Sequence, residues 1–109
     1  MNYNLEIDII NQQSLQSKRH FIWKFCQKIK CINEVNKLKG QSKNNKTLES
    51  FANLLDADEK NIFTNNFVNK DIDNFWYLNY FSKNTYYRKL KQVVDLFFTY
   101  IKEMYKNEK

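Results

Sequence analysis

The sequence predicts an all-α chain, and three observations carry that expectation. Among its 109 residues there is no proline and a single glycine, Gly40. Those two residues punctuate hairpins and tight turns, so a β-sandwich, a small barrel or a glycine-rich phosphate loop is excluded. Two long stretches, 14–39 and 83–106, repeat apolar residues at i, i+3, i+4 and i+7, the period of a half-buried helix. The rings supply the core: nine Phe, seven Tyr and two Trp stand against two alanines, Ala52 and Ala57. A chain of this length and apolar content makes one domain, residues 1–109, built as a small bundle.

Residues 1–13 read as an arm or short helix that docks Leu5, Ile9 and Ile10 on the core. A long helix follows over 14–39, with Ser14 or Ser17 as its cap. Its apolar stripe runs through Ile22, Cys26, Ile29 and Ile32 to Asn36, widened by Phe21 and Phe25, and Lys18, Lys24, Lys28 and Lys30 take the opposite side. Gly40 stands where a helix ends on a left-handed residue. Residues 41–46 are a polar loop. The rest, 47–109, forms the second half of the domain.

Thr47 opens a short helix with Leu48, Phe51, Ala52 and Leu55 as its stripe. Asp56 or Asp58 starts the next, whose apolar face is Ile62, Phe63 and Phe67 and which ends among Asn65, Asn66 and Asn69. The cluster Asp56, Asp58 and Glu59 suits a first helical turn, where acids meet the positive end of the dipole. A third short helix is expected over 72–80. Its Ile72, Phe75, Trp76, Leu78 and Tyr80 are too many for one stripe, which implies packing on two sides. Ser82 separates it from a final, extended helix over 83–106, with Tyr86, Leu90, Val93, Val94, Phe97, Ile101 and Met104 facing the core. Phe98, Tyr100 and Tyr105 fall off that stripe; the long first helix covers them, or they form a dimer seam, and the first is preferred.

Several function classes fall away. No apolar run reaches the ~20 residues of a membrane span. Residues 1–10 carry Glu6 and Asp8 and no lysine, unlike a signal peptide, so a cytoplasmic protein is expected. His20 is the sole histidine, which supports neither a zinc site nor a nucleophile–base–orienter set. No enzyme, cofactor or metal is expected. Cys26 and Cys31 point to different helix faces and read as buried apolar thiols, not a disulfide.

The net charge of +6 is partly a coding effect, since all basic residues but Arg19 and Arg88 are lysine and asparagine abounds, as in AT-rich genes. Its placement is more telling. Residues 1–14 sum to −2, 15–46 to +8, 47–82 to −4 and 83–109 to +4. The start of the last helix gathers Lys83, Arg88, Lys89 and Lys91 with no acid among them.

A short apolar helix, a turn and a longer helix opening on polar and basic residues make a helix-turn-helix in Phe75–Val94. With Tyr86, Leu90, Val93 and Val94 turned inward, Lys83, Asn84, Tyr87, Arg88 and Lys91 face outward. Asn pairs with adenine edges and Arg with guanine edges, while Lys and Tyr suit phosphate oxygens. These five are the candidate DNA-binding residues, and double-stranded DNA is the expected partner.

The segment Ser82-Lys83-Asn84-Thr85-Tyr86-Tyr87-Arg88-Lys89-Leu90-Lys91, followed by Val94 and Phe97-Phe98, resembles the recognition helix of region-4-like sigma-factor helix-turn-helix proteins. It is similar in particular to phage late-transcription regulators related to the autolysin regulatory protein, and to small proteins of wall-less bacteria. Leu55-Asp56-Ala57-Asp58-Glu59 is similar to the element that opens the preceding helix in that family. The resemblance spans about residues 48–101 and implies a DNA-binding transcriptional regulator, with RNA polymerase or a homodimer partner as further candidates. Val93 and Val94 stand where the family commonly has alanine, and 74–81 is more aromatic than its pattern. The chain is too short to add a polymerase-binding sigma region. The alternative expectation is a non-enzymatic interaction module that binds the transcription machinery or a partner helix, suggested by the aromatic excess and the acidic middle.

Overall fold

Two 24-residue helices of about 36 Å each set the frame of the computed structural model, which describes residues 3–40, 45–69 and 75–106. The protein is all-α, with no strand among the described residues. In order, α1 spans Tyr3–Asn11, α2 Leu15–Leu38, α3 Thr47–Ala52 and α4 Ala57–Phe63. A π-helical turn, Thr64–Val68, continues α4; a 3-10 turn, Trp76–Asn79, precedes α5, Lys83–Lys106. No helix among the described residues is long and apolar enough to cross a membrane.

The helix ends follow local chemistry. The backbone N–H of Ser17 donates to Ser14 Oγ at 3.2 Å, so Ser14 caps α2. At the far end Gly40 has φ +72°, the left-handed geometry that costs an L side chain most and glycine least. Asp56 and Glu59 close a capping box on α4: the Glu59 N–H donates to Asp56 Oδ1 at 2.8 Å, and the Asp56 N–H donates to Glu59 Oε1 at 3.1 Å. Asp56→Ala removes the first of these bonds, so a loss of about 1 kcal/mol is expected in a urea melt.

One continuous core joins every element. Ile22, Phe25, Cys26 and Ile29 of α2 meet Ile62 and Phe63 of α4 and the predicted stripe of α5, all buried except Met104 at its end, which is half-buried. Phe97 is its hub. Its ring lies 5.0 Å from Phe51, 5.6 Å from Phe25 and 5.9 Å from Phe63, the first two edge-on. Phe98 is covered by α2, stacked on Phe21 at 5.5 Å, as preferred from the sequence. Tyr100 instead packs beside Phe51 of α3, at 5.4 Å. Residues 41–44 of the expected polar loop lie outside the described residues. Its end is clasped to α2: the Asn45 N–H donates to Asn33 Oδ1 at 2.7 Å, and Asn33 Nδ2 donates to the Asn45 carbonyl at 3.1 Å.

The π-helical turn is the main joint between the halves. A widened turn leaves late carbonyls without ordinary helical donors. Two side chains of α2 fill that need: Gln27 Nε2 donates to the Phe67 carbonyl at 2.8 Å and Lys30 Nζ to the Val68 carbonyl at 2.6 Å. Lys30 therefore seals a helix end where the sequence suggested an open basic face. Lys18 is likewise engaged, 3.7 Å from Asp95 of α5, which leaves Lys24 and Lys28 as the exposed members of that expected face. A third strap, Lys102 to Asp8 at 2.9 Å, joins α5 to the acidic α1.

Four sequence expectations are corrected. In α1 the buried residue is Ile7, while Ile9 is 52% exposed; Ile10 packs on the core, and the side chain of Leu5 lies outside the described residues. The helix turns Ile7, not Ile9, toward α5. Ile32 is 40% exposed, because at 100° per residue it has rotated about 80° from Ile22. Cys31 is exposed for the same reason, standing opposite Ile22 on the wheel. Cys26 is buried, and that burial pushes its thiol up to about 12. At pH 8 a thiol reagent is expected to modify Cys31 alone, with Cys26 reacting only once urea unfolds the chain; two reactive thiols in the native state contradict this.

The fourth correction concerns 72–80. Residues 70–74 lie outside the described residues, and 76–79 form a 3-10 turn in place of a helix. The segment is not gripped from two sides. Phe75, Leu78 and Tyr80 are exposed, and only Tyr77 is buried, its ring stacked flat on Tyr86 at 3.8 Å. Trp76 is half-buried, its ring edge-on to Tyr86 at 5.9 Å, so two neighbouring rings dock the segment and the others stay in solvent.

Candidate nucleic-acid interface

The N-terminal end of α5 is set by Ser82. The Thr85 N–H donates to Ser82 Oγ at 3.2 Å, and the Tyr86 N–H donates to the Ser82 carbonyl at 2.9 Å. The helix therefore begins at Lys83, as the sequence indicates, and no acid stands in its first turn. Uncompensated N–H groups at such an end attract anions.

Burial divides the following two turns. Tyr86, Leu90, Val93 and Val94 are buried at 2% exposure or less. Lys83, Asn84, Tyr87, Arg88 and Lys91 are all exposed. Spaced i, i+1, i+4, i+5 and i+8, they lie on one solvent-facing side of α5. Lys83, Arg88 and Lys91 form no ion pair with a described residue. Lys89, one of the four cations at this end of the helix, is different: it turns aside to Asp58 of α4 at 3.8 Å and is partly buried.

Tyr87 occupies the rim of this face. It is 38% exposed, and its ring meets Tyr86 edge-on at 5.0 Å and Tyr77 at 6.1 Å. Burial first, and then the neighbouring Tyr87 phenol, holds the Tyr77 hydroxyl above the usual phenol range. Tyr86 is raised as well, chiefly by burial. Tyr77 and Tyr86 thus stay neutral at physiological pH, and their stack, with Tyr87 edge-on beside it, fixes the 3-10 turn against α5.

Behind the stack lies a polar node that the sequence did not disclose. The Tyr86 hydroxyl donates to Asn66 Oδ1 at 2.9 Å, and Arg19 Nη2 donates to the same oxygen at 3.1 Å. Asn66 Nδ2 in turn donates to the Ile62 carbonyl at 2.8 Å. Beside this node a cleft of about 250 Å³ is lined by Gln16, Arg19, His20, Trp23, Asn66 and Phe67. The scarcity of arginine was a usable signal for Arg19, as it was for Arg88. The partner 47 positions away was not.

No protein-family model matches this chain, and no curated protein or solved structure matches it.

Proposed function

We propose that this protein is a non-enzymatic, cytoplasmic DNA-binding transcriptional regulator that reads duplex DNA with the first three turns of α5. The observation that supports the reading is the acid-free, solvent-facing set Lys83, Asn84, Tyr87, Arg88 and Lys91 behind a capped helix N-terminus. Lys83 and Lys91 meet phosphates, and Asn84 and Arg88 reach base edges in the major groove. The first helix expected of a helix-turn-helix over Phe75–Val94 is a 3-10 turn here, so the reading rests on α5, which α4 supports from behind through the core and Lys89–Asp58.

The test is a gel shift with random duplex at two salt concentrations. The two phosphates neutralised by Lys83 and Lys91 give a slope near −1.8 in log K against log salt, about a 12-fold loss between ~50 and ~200 mM. No shift at ~50 mM salt contradicts the proposal.

A second reading rests on one observation. Phe75, Leu78 and Tyr80 of the 3-10 segment are 64%, 57% and 67% exposed. Such an apolar patch suits a protein partner, the transcription machinery or a helix of another protein. Loss of a pull-down with purified RNA polymerase on Leu78→Asp, with DNA binding unaltered, favours it.

A further inference from the structure

The cleft beside Asn66 is built from one stripe of α2. Gln16, Arg19, His20 and Trp23 follow the i, i+3, i+4, i+7 spacing, so their side chains rise from a single face of the helix. Asn66 and Phe67 of the π-helical turn form the opposite wall. This stripe lies beside the buried one, and the core does not require its residue types: a lysine-rich chain places one of its two arginines, its sole histidine and one of its two tryptophans here.

Arg19 is held ready. One of its five N–H donors is spent on Asn66 Oδ1, and Asn66 is itself fixed by Tyr86 and by the Ile62 carbonyl. A guanidinium positioned from behind loses little freedom when it takes an anion in front. No acid stands among the six residues that line the cleft. Gln16 and His20 are exposed at its rim and bring further donors, and Trp23 offers a ring that is 38% exposed. Donors on several sides suit the three terminal oxygens of a phosphate better than a carboxylate's two. The indole suits a flat ring. The volume falls just under the ~300 Å³ at which pockets for drug-sized ligands begin, which limits the occupant to one ring.

From this geometry we infer that the cleft between α2 and the π-helical turn binds a small aryl phosphate, with Arg19 and His20 on the phosphate and Trp23 against the ring. The cleft meets α5 through the Asn66–Tyr86 bond, and the inference does not depend on the DNA-binding proposal.

Phenyl phosphate titrated into the full-length 15N-labelled chain tests this, read by amide and indole N–H signals. Trp23→Phe identifies the Trp23 indole. The expected result is saturable shifts confined to residues 16–23, 66–67 and that indole, with a Kd near or below about 1 mM. Inorganic phosphate and phenol, each carrying half of the ligand, are expected to bind at least about tenfold more weakly. Arg19→Gln is expected to weaken binding by about tenfold or more. Because that change also cuts the bond to Asn66, Gln16→Glu serves as a second variant: it places an anion at the exposed rim, leaves the core untouched and is expected to weaken binding similarly. Unsaturable shifts spread over the surface lysines, inorganic phosphate binding as well as phenyl phosphate, or unchanged affinity in both variants overturns the inference. Duplex DNA binding by Gln16→Glu is expected to equal that of the parent, so failure of this site and failure of the α5 reading are told apart.

Discussion

The double variant Arg88→Ala/Lys91→Ala is expected to lose duplex DNA binding while keeping the helicity of the parent. Both side chains are exposed on the outer side of α5, three residues apart, and neither pairs with a described acid. A bidentate arginine on a guanine edge contributes roughly 1–3 kcal/mol of discrimination. A lysine on a phosphate adds about 0.9 to the salt slope. Their joint removal leaves Lys83 as the remaining cation of the face, too little for a measurable shift in moderate salt. The helix itself does not suffer, because alanine is the best helix former and the exchange removes two positive charges from the positive half of the dipole. Lys89→Ala is the internal control. Lys89 faces Asp58, and an ion pair of this kind contributes at most about 1 kcal/mol to stability. That variant is expected to bind DNA nearly as the parent does. Gel shifts and far-UV circular dichroism on the same samples decide the matter: a double variant that still shifts duplex at parental affinity removes α5 from the interface.

Phe97→Ala carries the largest expected effect on stability. The side chain is fully buried and packs within ring-contact distance of α2, α3 and α4 at once. Truncating a buried Phe costs about 3–5 kcal/mol, from lost transfer energy and the cavity left behind. Against a total of roughly 5–15 kcal/mol for a domain, that is enough to unfold much of the population at 37 °C. Phe97→Leu keeps most of the volume and is expected to cost clearly less. Urea denaturation of the three proteins checks the order; equal midpoints for Phe97→Ala and the parent contradict a core organised around this ring.

Much of the scaffold was legible because it depends on local chemistry. Local chemistry narrowed the caps to Ser14 or Ser17 and to Asp56 or Asp58, of which Ser14 and Asp56 hold the helix ends, and Gly40 takes the left-handed angle that ends α2. The α5 stripe from Tyr86 to Ile101 repeats over about four turns, so its buried side follows from period alone, and the exposure of Lys83, Asn84, Tyr87, Arg88 and Lys91 follows with it. Short or one-sided signals carried less. Residues 76–79 form a 3-10 turn that docks through Tyr77, flat on Tyr86, and Trp76, edge-on to it, and nothing in an evenly apolar run says which rings those will be.

The sequence by itself determined an all-α protein, the ends of its long helices and which side of α5 meets water, because periodicity, capping and glycine geometry act within a few residues. The tertiary structure alone decided which charges are spent. Lys18, Lys30 and Lys89 look equivalent to Lys24, Lys28 and Lys91 along the chain, yet the first three are drawn to Asp95, the Val68 carbonyl and Asp58. It alone also brought Arg19 to Asn66 and made a cleft of the two, because a contact between residues 47 apart is set by how helices pack and leaves no local pattern to read.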